Sequence, residues 1–339
     1  MHKRDVRYEF VRVISMVLVI AIHSFATISP TYADSSLAGM VLSRFLFLSN
    51  GLFFMISGKF ALCVCCKTGG DYGRYLLKRF GNLGIPILVC MLLRSMFNVG
   101  GWWPEYFLSL EFLKEYIQNV LSGFTSYEYW FLYKLVGFLI VAPFVGKMLQ
   151  QATKSELLWF VGLGIFWNSL NIYLPEAGFS FSWEYPLDGC FVLFVLGYAI
   201  ERIVETRKEE NILLILGCVG FVAGIALQCA GWGAGGNDLA PTYAVSVAAM
   251  FTALKRIYRP GGKLDTVVIK LGAMTMSVYL LHMIVLHTVV PYIPQGQFCL
   301  RGSALVLVTL CITLAVGYVF EKTILSGLKW IFWKVTRLQ

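Results

Sequence analysis

Phe10-Val-Arg12-Val-Ile-Ser-Met-Val-Leu-Val-Ile-Ala-Ile-His23-Ser-Phe-Ala-Thr-Ile28 decides the fold. Past Arg12 its one ionisable side chain is His23. About 20 apolar residues in helical form cross the hydrocarbon of a bilayer, so the stretch reads as a membrane helix. Working outward, nine more stretches read the same way: 42–66, 83–99, 130–149, 156–174, 187–204, 211–229, 240–256, 267–290 and 303–321. The third is short, and the second is long enough to expect a kink at Gly51 or Gly58. Composition agrees, with 58% apolar and 14% charged residues, against about 45–50% and about 25% in soluble domains. The expectation is an all-α polytopic bundle of ten membrane helices, a single domain over 1–339 with no appended soluble domain and no cleavable signal.

The net charge of +9 would suit nucleic acid, but its placement argues otherwise. One set of alternate loops carries Lys3, Arg4 and Arg7, then Lys67, Arg74, Lys78 and Arg79, and so on to Lys329, Lys334 and Arg337. The other set carries only Lys114 and Arg301. Basic residues flank the cytoplasmic side, so both termini are expected inside. Residues 106–124 of the longest outer connection are expected to form an amphipathic interfacial helix. The glycine-rich 231–239 reads as a flexible turn. The cysteines have no histidine at metal spacing; they read as small apolar residues in the membrane, and no metal is expected.

Charge inside a bilayer is expensive and marks a cavity or a partner. His23, Arg44, Lys59, Arg94, Lys134, Asp188 and His282 fall inside or at the edges of the helices. Snorkelling to the interface is the plain reading of Lys59, Arg94 and Lys134. Arg12 and His23 stand eleven residues apart, about 16 Å of rise and about 20° past three full turns, so they share a face. That face offers a fixed cation at the inner mouth and, deeper, a group able to take a proton near neutral pH; a purely structural role for both competes with this. Glu9 is placed to pair with Arg12. A second basic set, Arg74, Lys78 and Arg79 with Asn82 and Pro86, leads into the third helix and suits phosphates; positive-inside flanking explains it as well.

Six short motifs, in order along almost the whole chain, resemble the acyltransferase-3 family of bacterial membrane-bound acyltransferases. They are Glu9-Phe-Val-Arg12 with His23, Gly51-Leu-Phe-Phe-Met-Ile-Ser57-Gly58, Arg79-Phe-Gly-Asn82-Leu-Gly-Ile-Pro86, Trp130-Phe-Leu-Tyr133 with Pro143, Phe194-Val-Leu-Gly197-Tyr198 and Ser277-Val-Tyr279-Leu-Leu-His282. The resemblance implies O-acyl transfer, most often of acetyl, from cytoplasmic acyl-coenzyme A to a hydroxyl of an envelope or exported carbohydrate, by an enzyme of the bacterial cytoplasmic membrane. Carried over by position, His23 is the catalytic residue. Arg12 and Arg79, helped by Arg74, Lys78 and Asn82, would hold the coenzyme's phosphates. Ser57, Glu128, Trp130, Tyr133, His282 and Glu9 are expected along the substrate pore. Two positions depart from the family pattern: Asn82 replaces the second arginine of its RxxR segment, and Glu128 stands where relatives often have histidine.

A transporter or flippase for a glycan or lipid-linked sugar is the competing reading, since many helices with polar midplane groups fit it too. Residues 1–170 and 171–339 show no repeat of the Arg12…His23 or Arg79…Pro86 patterns, which lowers that reading. Acceptor contacts are expected from outer loops 29–41, 99–129, 175–186 and 231–239, with Trp102, Trp103, Trp183 and Trp232 able to stack on sugar rings; an interfacial aromatic belt explains these tryptophans equally well.

Overall fold

The computed structural model describes residues 5–101, 103–123, 126–181, 188–232 and 240–336. Lys3, Arg4, Trp102, Trp183, Arg337 and most of the glycine-rich turn, 233–239, lie outside them. In chain order the helices are α1 (Val6–Ile28), α2 (Tyr32–Ser35), α3 (Leu37–Ala61), α4 (Gly69–Arg79), α5 (Ile85–Asn98), α6 (Pro104–Phe107), α7 (Leu110–Ser122) and α8 (Trp130–Gln151). Then follow α9 (Lys154–Glu176), α10 (Gly189–Ile203), α11 (Arg207–Cys229), α12 (Pro241–Ile257), α13 (Leu264–Val289), α14 (Phe298–Phe320) and α15 (Ser326–Thr336). No strand occurs among the described residues. The chain is a polytopic helical bundle.

Among the described residues, eight helical stretches are long and apolar enough to cross a membrane. The sixth and eighth expected spans, α10 and α12, have 15 and 17 residues and fall below that length. For α10 burial explains the short span: every residue from Gly189 to Ile200 is buried. A helix apolar on all sides belongs inside a bundle.

The third helix starts well before the expected residue 83. Its first part, α4, is polar on the side carrying Arg74 and Lys78, and its Thr68–Asp71 capping box fixes the start. A π-helical turn, Phe80–Gly84, joins it to α5. Pro86 follows directly; its ring cannot sit against the carbonyl four residues back, and a wide turn removes that clash. A second π-helical turn, Glu321–Leu325, joins α14 to α15, so the last helix runs on well past the expected 321. The expected amphipathic helix forms as α7, preceded by the short α6; it is tied to the bundle by the Tyr116 hydroxyl, which donates to the Leu88 carbonyl at 2.9 Å.

α1 packs against α3, α13 and α14, and α3 in turn against α10 and α12. α3 is continuous from Leu37 to Ala61, and its glycines serve this packing. A Cβ on Gly58 would overlap the Phe194 carbonyl, and one on Gly197 would overlap the Met55 carbonyl. Two motif glycines therefore let α3 and α10 meet backbone to backbone, as small residues do in membrane bundles.

The helix-end charges do more than snorkel. Lys59 and Lys255 both donate to the Glu201 carboxylate, which also accepts from the Tyr8 hydroxyl, tying α1, α3, α10 and α12 together. Lys134 pairs with Asp188. Arg44 is buried, donates to the Thr242 hydroxyl at 2.8 Å, and fits only because residue 224 is glycine. Of the cysteines, Cys90 and Cys190 are buried, whereas Cys63, Cys65, Cys218, Cys229, Cys299 and Cys311 are exposed on the outside of the bundle.

Candidate active site

A cavity of about 300 Å³ lies between α1, α3, the α4–α5 junction, α8 and α13. Arg12, Ser57, Arg79 and Asn82 share its wall with apolar side chains such as Ile56, Leu83 and Leu135. The sequence separates these polar residues by up to 70 positions; only the helix packing makes them neighbours. Arg12 Nη1 donates to Glu9 Oε2 at 2.7 Å, the pairing expected from their spacing. Glu9 is itself buried against α13, where a side chain on Gly272 would occupy the place of its carboxylate. The buried acid holds the guanidinium toward the cavity. Arg79 lies over the Tyr75 ring, 5.1 Å from its centroid, and has no carboxylate within ion-pair distance among the described residues. The mouth thus offers one compensated and one uncompensated guanidinium, both planar forks suited to phosphate or carboxylate.

Phe53, Phe131 and Tyr279 close the cavity on its inner side, with centroids 5.6 Å apart for Phe131–Tyr279 and 6.1 Å for Phe53–Tyr279. His282 lies beyond, 5.6 Å from the Tyr279 ring, and His23 faces His282 at 5.2 Å. His23 is partly buried and does not line the cavity; it stands behind this aromatic layer. His282 is fully buried and its Nδ1 lies 2.5 Å from the Tyr279 carbonyl. A carbonyl only accepts, so Nδ1 carries the proton and Nε2 keeps its lone pair. That Nε2 is buried with no hydrogen-bond partner among the described residues. Thr275, Tyr279 and His282 fall within about 60° of one another around α13, which aims all three toward α1.

A charged cluster flanks the histidines. The Tyr279 hydroxyl donates to the Glu128 carbonyl at 2.7 Å. The Glu128 carboxylate is 3.9 Å from Arg94 Nε, and Arg94 Nη1 donates to His287 Nδ1 at 3.3 Å. Arg94 and Glu128 are 7% and 3% exposed, so Arg94 is an internal charge rather than a snorkelling one. Removing one member of a buried ion pair strands the other and costs about 3–5 kcal/mol. Arg94→Met is therefore expected to lower the thermal unfolding midpoint markedly, with partial recovery in Arg94→Met/Glu128→Gln. An unchanged midpoint in the single variant would refute the pairing.

The other expected residues separate. Arg74 is exposed and paired with Asp71 at 2.8 Å, and Lys78 is exposed; neither lines the cavity. Trp130 and Tyr133 are also off the wall. Trp130 packs on Phe54, and the Tyr133 hydroxyl donates to the Val120 carbonyl at 3.0 Å, docking α7. Trp103 is exposed and Trp232 lies against Tyr173. The sequence motif includes Tyr279 without a role for it, and His287 lies outside every motif; the signal for both was a polar group on an otherwise apolar stretch of α13.

The helical fold and its long apolar helices define a multi-pass membrane protein, with a cavity lined by two arginines inside its bundle. The chain matches the model of the acyltransferase-3 family, described as an acyltransferase domain, over residues 5–322, and it belongs to that family. It is a membrane acyltransferase. No curated protein and no solved structure matches it.

Proposed function

We propose that the protein is an O-acyltransferase moving an acyl group, acetyl in the simplest case, from acyl-coenzyme A to a hydroxyl of a cell-envelope or exported carbohydrate. The observation that carries this reading is the single cavity that gathers Arg12, Ser57, Arg79 and Asn82, with two histidines behind its inner wall. The end of the bundle bearing the basic loops faces the cytoplasm of a bacterial cell, and the protein sits in its cytoplasmic membrane.

The donor enters from that end, its phosphates on Arg12 and Arg79 and its thin pantetheine arm along the apolar wall. Asn82, in place of a second family arginine, contributes neutral hydrogen bonds. The thioester reaches the histidines only past Phe53, Phe131 and Tyr279, so turnover includes displacement of these rings. Neutral His23 takes the proton of the acceptor hydroxyl as its oxygen attacks the thioester carbonyl. The C–S bond breaks, the new ester forms, and the proton returns to the leaving thiolate. His282, with its free Nε2, orients the hydroxyl or the His23 ring. The acceptor arrives from the opposite side, toward the buried Glu128–Arg94–His287 cluster.

The test is direct. Purified protein in nanodiscs, given acetyl-coenzyme A labelled in the acetyl group, is expected to consume thioester when an envelope-glycan extract is supplied. Vectorial movement of glycan without thioester consumption would favour the transporter reading instead. Loss of one charge-assisted phosphate contact is worth about 1.5–3 kcal/mol, so Arg79→Ala is expected to raise the KM for the donor about 10- to 150-fold, with kcat much less changed. An unaltered KM would remove Arg79 from the donor site.

A further inference from the structure

A second cavity, about 370 Å³, lies where α1, α10, α11 and α12 end on the side of the basic loops. Arg7, Arg207, Lys255, Arg256 and Arg259 line it, against only two carboxylates, Glu201 and Glu210, so its wall carries three excess positive charges. Three of the cations are already compensated. Arg7 is paired with Asp5, Arg207 with Glu210 at 2.6 Å, and Lys255 with Glu201. Asp5 stands off the wall and cancels one of the three, so the excess left is two charges: Arg256, whose side chain donates to the neutral Asn211 amide oxygen at 2.7 Å, and Arg259, neither of which pairs with a carboxylate among the described residues. Positive-inside flanking accounts for cations at this depth. It does not require five of them to converge on a concavity whose floor holds a largely buried lysine.

This cavity is separate from the first. Arg7 and Arg12 are five residues apart, about 140° around α1, so they point to different sides. The Tyr8 ring stands between, 5.3 Å from Phe60 of the first cavity and 6.2 Å from Phe251 of the second. The size is that of a small-molecule pocket, which typically spans about 300–1,000 Å³.

We propose that this second cavity is a binding site for a phosphate-bearing ligand, held by the Arg256 and Arg259 guanidinium groups over the Lys255–Glu201 floor. Guanidinium forks bind phosphate through paired hydrogen bonds, and the compensated lysine and arginines leave just these two for the ligand. The site stands independently of the acyl-transfer reading. The phosphate is either that of a soluble nucleotide or that of an anionic lipid headgroup.

Binding of adenosine 3′,5′-bisphosphate and of phosphatidylglycerol, each against phosphatidylcholine nanodiscs, separates these sources. The parent protein is Arg12→Gln/Arg79→Gln, which silences the first cavity, compared with the same protein carrying Arg256→Gln/Arg259→Gln in addition. Both added positions are exposed, and gel filtration checks that each protein is folded. The added pair is expected to weaken one probe at least about tenfold. Loss for the bisphosphate assigns a nucleotide ligand, and loss for phosphatidylglycerol alone assigns a lipid headgroup. In the wild-type background the same pair is expected to remove one class of binding sites. Equal binding of every probe with and without the two arginines, in both backgrounds, overturns the proposal.

Discussion

Acyl transfer by the His23→Ala protein is expected to fall by about 10²–10⁴-fold, the usual contribution of a positioned general base. The cavity proposed to take the donor lies on the other side of the Phe53–Phe131–Tyr279 layer, and His23 contributes nothing to its wall. Donor affinity is therefore expected to stay within about twofold of wild type while kcat collapses, the pattern of an interaction made in the transition state. A merely structural histidine would behave differently. Its loss would open a hole against His282 and lower stability and donor binding together. Rate and donor affinity measured on the same preparation separate the two. Wild-type turnover in the alanine protein ends the proposed mechanism, and a matched loss of stability and donor binding reduces His23 to a packing role.

The second large effect is on folding. Gly197→Val is expected to destabilise the bundle by about 3 kcal/mol or more, the upper range for overpacking, because the added atoms fall on the Met55 backbone carbonyl and not on a side chain that can turn aside. Gly58→Val meets the Phe194 carbonyl in the same way. Both would push α3 off α10 and move Ser57 with it. Gly137 and Gly162 are the controls. They are helical, with nothing within 4 Å of an added Cβ, so alanine there is expected to be neutral or slightly stabilising. The yield of monodisperse protein and its thermal midpoint report the difference. If Gly197→Val resembles Gly162→Ala in both, the backbone contact between α3 and α10 is not what the bundle depends on.

These two sites differ in how far the sequence led to them. The eleven-residue interval between Arg12 and His23 put them on one face of α1, yet the structure sets only Arg12 on the cavity wall. Helical phase gives direction about one axis and says nothing of what stands opposite, here the ring of Tyr279. Arg94 looked like an interfacial charge because its buried partners, Glu128 and His287, come from residues 34 and 193 positions away. Trp130 and Tyr133 sat in a motif and were expected along the pore, but their helix turns them toward α3 and α7. The start of α4 was hidden for another reason: hydropathy detects where lipid begins, whereas a helix held by a capping box continues beyond it.

The sequence by itself determined what depends on lengths and short spacings: the succession of membrane helices, the polarity of their loops and the Glu9–Arg12 pair. Tertiary structure alone decided that Gly58 meets the Phe194 backbone and Gly197 the Met55 backbone, that Arg12, Ser57, Arg79 and Asn82 share one chamber, and that Arg94 is an internal charge. The physical reason is that hydrogen bonding and apolar length act within one helix. In a lipid solvent, which helices become neighbours is settled by close packing and buried polar contacts between residues far apart in the chain.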